Sequence, residues 1–202
     1  AMGGMIKNSY ATGEVDADGV YAGGLLAYAM GIGAESDFGI YQSYATGQVT
    51  GTSQVGGLIG MSMMNKVEES YSTGKVTGIT GVGGFIGQDG GSEIQNVYSS
   101  GEVTASGDNV GSLMGQAADT TLTNSYSSGK ITLTGEIQTN VNGLIGNDTA
   151  TVTNSFYDKT VNTGMSDETS YGKSTTELKT LATYTTALAD AAWDMGGEDG
   201  NY

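Results

Sequence analysis

The chain has 202 residues and a formal charge of −15, from 22 acidic residues against 7 lysines; it holds 35 Gly and no Arg, His, Pro or Cys. That balance repels phosphate backbones and anionic membranes and provides no guanidinium fork, which argues against nucleic acid as a partner. Without Cys or His there can be no disulfide, no thiolate metal site, no His-Glu-x-x-His motif and no Ser-His-Asp or Cys-His arrangement.

No apolar run approaches the ~18–20 residues that a membrane-spanning helix needs, so direct membrane insertion is not expected. Residues 1–5 read as a tag remnant and an N-terminal edge, with Ala1-Met2-Gly3 resembling a cloning scar.

From Ile6 onward the chain repeats. Ile6-Lys7-Asn8-Ser9-Tyr10-Ala11-Thr12-Gly13-Glu14-Val15 aligns with Ile40 to Val49, Val67 to Val76, Ile94 to Val103 and Leu122 to Ile131, and a sixth copy starts at Val152. The aromatic position falls at 10, 44, 71, 98, 126 and 156, in steps of 34, 27, 27, 28 and 30 residues. A second block follows each copy: Gly23-Gly24-Leu25-Leu26, Gly56-Gly57-Leu58-Ile59-Gly60, Gly83-Gly84-Phe85-Ile86-Gly87, Gly111-Ser112-Leu113-Met114-Gly115 and Asn142-Gly143-Leu144-Ile145-Gly146.

Nothing in this period keeps a 3.6-residue rhythm. Short β-branched runs punctuated by Gly predict strands and tight turns. Each copy forms one coil, and stacked coils rise by about 4.8 Å, the strand spacing. One coil alone is unstable. Burying about five aliphatics at ~1.5–3 kcal/mol each does not offset ordering ~27 residues at ~1–2 kcal/mol each. Neighbouring coils must supply the ladder hydrogen bonds and a shared core.

Columns of equivalent residues predict inside and outside. Val15, Val49, Val76, Val103 and Ile131 face the core, and Glu14, Gln48, Lys75, Glu102 and Lys130 face solvent. Alternation then points Ala11, Ala45, Ser72, Ser99 and Ser127 inward, and Thr12, Thr46, Thr73, Ser100 and Ser128 outward. It cannot also serve the Ile6 column, so a bulge breaks it at Asn8 or at Gly13. A break at Asn8 makes the tyrosines an exposed ladder; one at Gly13 stacks them in the core. The core reading is preferred, because an outward column would expose a large apolar strip.

Asn-Ser-Tyr-Ala-Thr-Gly-x-Val with a later Gly-Gly-Leu-Ile-Gly resembles the GLUG-motif repeat, best over Tyr44 to Gly60 and with departures over Ser70 to Gly87 and Asn124 to Gly146. That repeat occurs in filamentous-haemagglutinin-like adhesins and in accessory regions of some bacterial surface metalloproteases. The resemblance implies a right-handed parallel β-helix, export to the cell surface and a role in attachment, and it supplies no catalytic residues. Ala27 in place of the last Gly, with extra residues up to Gly39, suggests an atypical first coil or a long loop.

After Gly164 the period is lost. Ser174-Thr175-Thr176-Glu177 forms a capping box that predicts a helix from Thr175 to about Leu181 or Ala182, with a second short helix over Thr185 to Trp193. This tail, also similar to the segment that closes GLUG arrays, is expected to cap the open end with Leu178, Leu181, Leu188 and Trp193 packed down.

The expected fold is therefore all-β: a parallel β-solenoid of five to six ~27-residue turns over residues 6–160 and a short, partly helical cap over 161–202. The expected function is a non-catalytic stalk or ligand-binding segment of a secreted or surface-anchored adhesin, meeting a surface receptor or glycan and joined to a larger parent. Tyr10, Tyr44, Tyr71, Tyr98 and Tyr126 are the candidate ligand-binding residues, through aromatic stacking on sugars. Asp16 and Asp18 open like a calcium loop but lack its later ligands, leaving Ca²⁺ as an optional ligand and no other cofactor. As a carboxylate pair they would also be the candidates for a polysaccharide-active enzyme. Ice binding through the Thr columns is disfavoured by the charged column beside them.

Overall fold

The computed structural model describes residues 4–31, 38–136 and 138–180. The chain winds as a parallel β-solenoid in which each coil contributes five short strands, and like strands of successive coils hydrogen-bond in parallel ladders. The five ladders hold six, five, seven, five and four strands. All five coexist over four rungs, which is shorter than the five to six uniform turns expected, because the end coils contribute only some of their strands.

Register follows the sequence columns. Ile6, Ile40, Val67, Ile94, Leu122 and Val152 pair down one ladder. Val15, Val49, Val76, Val103 and Ile131 pair down another. A slip of one residue would turn each aliphatic column out to water, so burial fixes the register.

The aliphatic columns fill two clusters. The larger sets Ile40, Val67, Ile94 and Leu122 against Leu58, Phe85, Leu113 and Leu144; the smaller sets Val49, Val76 and Val103 against Val55, Val82 and Val110. Glycine is dictated at Gly47, Gly74, Gly101 and Gly129, where an added Cβ would lie 1.9–2.0 Å from the carbonyl oxygen of the glycine one coil earlier.

The first coil is less irregular than Ala27 suggests. Leu26, Tyr28, Ala29 and Met30 pair with Ile59, Met61, Ser62 and Met63, so Ala27 simply occupies the Gly60 position. The extra residues come after Gly31.

Polar groups of the tail meet the C-terminal end, and Leu178, one of the predicted apolar residues, is buried there. Helix α1 spans Glu168–Tyr171 and α2 spans Thr175–Leu178, the latter with the predicted capping box at Ser174 and with Leu178 buried. Between them Gly172–Lys173 adds a parallel strand to Tyr157–Asp158. Asn162 acts on another edge: its Oδ1 accepts from Ile131 N–H at 2.8 Å and its Nδ2 donates to Gly129 O at 2.9 Å. The two carboxylate oxygens of Asp167 accept from Gly143 N–H at 2.8 Å and Leu144 N–H at 3.0 Å. The predictions for Leu181, Leu188, Trp193 and the second helix lie outside the described residues.

Candidate functional site: the tyrosine ladder

The alternation breaks at Asn8 and its equivalents. Asn8, Gln42, Glu69, Asn96, Asn124 and Asn154 all have left-handed backbone, with φ between 48° and 54°. One left-handed residue turns the chain and resets the in-out parity, so the aliphatic column before it and the serine column after it both face inward. The tyrosines therefore point outward, which corrects the core reading.

The break takes a residue out of the ladder, and the serine after it replaces the lost hydrogen bonds. Ser9 N–H donates to Ser43 Oγ at 3.2 Å, Ser43 N–H to Ser70 Oγ at 3.1 Å, Val97 N–H to Ser125 Oγ at 3.3 Å and Ser125 N–H to Ser155 Oγ at 3.1 Å. Each of these hydroxyls donates in turn to the carbonyl two residues earlier in its own coil, as Ser43 does to Tyr41 O at 2.7 Å and Ser125 to Thr123 O at 2.9 Å. This serine column was legible as a repeat but not as a hydrogen-bonding device.

Outside it runs the ring column. Tyr10, Tyr44, Tyr71, Tyr98 and Tyr126 stack in series with ring centroids 5.3, 4.8, 4.8 and 5.3 Å apart and planes within 10° of parallel. Phe156 continues the register after Tyr126, and the Lys173 ammonium lies 5.2 Å from its ring centroid. The anticipated apolar strip does not form, because the rings cover one another's faces and expose mainly edges. Tyr10 is 64% exposed; the other four tyrosines are half-buried. Burial, with Tyr126 and Tyr71 on either side, pushes the Tyr98 phenol up to about 12, and burial also raises Tyr126.

The geometry narrows what the ladder can bind. Sugar stacking needs a free ring face, and among the described residues Tyr44, Tyr71 and Tyr98 each have a ring on both sides. Among the described ladder tyrosines, the end residue Tyr10, at 64% exposure, is the best placed for it.

The other candidates stay apart. Asp16 and Asp18 are both exposed, and among the described residues no group of three or more acidic side chains is placed to hold a metal ion. Asp16 pairs with Thr50 of the next coil rather than with another carboxylate.

A buried carboxylate was missed. Asp89 is 1% exposed, sits inward in register between Ser62 and Ala117, and accepts at Oδ2 from Ser92 N–H and from the Thr120 hydroxyl. Its Oδ1 has no partner. Burial raises its pKa above the usual carboxylate range. The sequence signal was an Asp flanked in its column by Ser62 and Ala117, with Ala29 and Asp148 at the column's ends.

No family model and no curated protein matches the chain. Among solved structures, a Bacteroides ovatus protein named "putative immunoglobulin A1 protease" shares the fold at a TM-score of 0.59 and 20% identity. The match covers 91% of this chain and 53% of the other, so this chain spans about half the length of that protein. At this identity the likeness shows the parallel β-solenoid fold alone.

Proposed function

We propose that the chain is a non-catalytic segment of an exported bacterial surface protein, a stalk that carries or presents a neighbouring part in attachment. The observation behind this is the set of in-register parallel ladders, with aliphatic columns buried inside and varied polar columns outside. Such a design resists extension and bending while leaving its outer columns free to vary. In this reading the partners are a surface receptor or glycan and the rest of a larger parent. The setting is extracellular, and neither a resident cofactor nor Ca²⁺ is required.

A second reading, accessory region of a surface protease, draws on the likeness to the Bacteroides ovatus protein. Because the chain has no His, a His-Glu-x-x-His centre would have to lie elsewhere in the parent.

Pulling single molecules from both termini discriminates these roles from enzymatic ones. A stalk unfolds in small steps of one coil each at high force, and the purified chain releases no product from acidic polysaccharides. Turnover on such a glycan would overturn the non-catalytic reading. Saturable binding on a glycan array that is lost in Tyr10→Ala would shift the role from spacing to recognition.

A further inference from the structure

We propose that the tyrosine column is an oxidative cross-linking site, at which phenols of successive coils are joined as dityrosine and the stalk is stapled along its length. Three observations meet here. The rings of Tyr44, Tyr71 and Tyr98 are spaced 4.8 Å apart with planes within 7° of parallel, so the carbon ortho to one hydroxyl lies beside its equivalent one coil away. The rings are outward and half-buried, so their hydroxyl edges meet solvent while their backbones are held in ladder register. The chain has no Cys, so no disulfide can lock one coil to the next.

The chemistry requires a one-electron oxidant, here hydrogen peroxide acting through a peroxidase-type catalyst. Each of two phenols loses one electron and one proton to give neutral phenoxyl radicals. The radicals couple through their ortho carbons, and the two hydrogens on the new carbon–carbon bond shift to the oxygens to restore both aromatic rings. Two phenols and one hydrogen peroxide thus give one biphenol and two waters. The raised phenol pKa values fit this route, because the proton leaves together with the electron rather than before it.

Rigid stacking favours coupling within the molecule over coupling between molecules, since the reacting carbons are already adjacent. The expected links are Tyr44–Tyr71 and Tyr71–Tyr98 first, with the end pairs at 5.3 Å slower. The pair Tyr21–Tyr28 provides an internal control. Its centroids are 5.7 Å apart, but its planes are tilted by 36° and both rings belong to one coil.

The test treats the dilute full chain with peroxide and a haem peroxidase, and in parallel with a ruthenium photosensitiser and persulfate, a small oxidant that needs no enzyme docking. The expected result is dityrosine fluorescence in a monomeric product lighter by two hydrogens per link, with peptide maps joining Tyr71 to Tyr44 or Tyr98. The Tm should rise on the order of 5–10 °C, because each link closes a loop of one coil in the unfolded chain. The double variant Tyr71→Phe, Tyr98→Phe keeps the rings stacked and the fold intact but should lose those products. Links that are mainly intermolecular, or that run mainly through Tyr21–Tyr28, or their absence with both oxidants, would each overturn the proposal.

Discussion

Serine and aspartate, both buried polar residues, take opposite roles in this molecule. Ser125 satisfies two backbone groups at once, the Val97 amide and the Thr123 carbonyl. Ser125→Ala leaves a buried amide without an acceptor, and the expected loss is about 1–3 kcal/mol in urea unfolding. Ser9→Ala, at the edge, where the hydroxyl donates only to an exposed carbonyl, should lose far less. Asp89 is the converse, a carboxyl buried with two donors and no counter-charge. Its folded pKa lies above its unfolded one, so its contribution to stability is complete below the ordinary carboxylate range and is lost as pH rises through the raised folded value. Denaturation across pH 4–8 should therefore show a stability that falls with rising pH. In Asp89→Asn that part of the slope should vanish; an unchanged slope would mean the carboxyl is not the group responsible.

At the scale of the strand and its turn, the sequence carried most of the pattern. The Val15 to Ile131 column, the charged column beside it and the inward Ala11 to Ser127 column all face as alternation required, since burial of aliphatics permits one parity only. The break was harder to place. Two positions could reset the parity, and the fact that decides between them is a backbone angle. Asn at four of the six break positions was a legible hint, because Asn tolerates left-handed backbone better than most residues, but Gln42 and Glu69 blurred it. The apolar-strip argument then pointed inward, because it counted ring area without letting the rings cover each other. Stacked neighbours also set how the phenols titrate. Absorbance titration should find Tyr98 ionising late, at about 12. Because the folded phenol favours its neutral form, the stability that Tyr98 brings is fully present below its unfolded pKa and is lost as pH rises from there through the folded value of about 12. Tyr71→Ala and Tyr126→Ala together would strip Tyr98 of both ring neighbours and should bring its ionisation down.

Across the whole molecule the two ends are unlike. At the N-terminal edge Met5 is 59% exposed and Tyr10 presents an open ring. At the C-terminal edge the tail supplies a strand, an amide side chain and a carboxylate to three different ladders. That a cap was needed followed from stacking alone; that it would work by mimicking backbone groups could not be read from a non-repeating segment. Asn162 is the sharpest instance, because its side chain accepts and donates where a sixth strand of that ladder would have done both, and it is 1% exposed. Asn162→Ala frees a buried amide at Ile131 and a carbonyl at Gly129, with an expected loss of about 2–4 kcal/mol. Coils in a solenoid support only their neighbours, so the damage should be graded. Hydrogen exchange should accelerate most at Ile131 and Thr132, less at Val103, and hardly at Val49. A uniform acceleration along the ladder would show instead that the coils unfold as one unit and that the cap governs the whole stack.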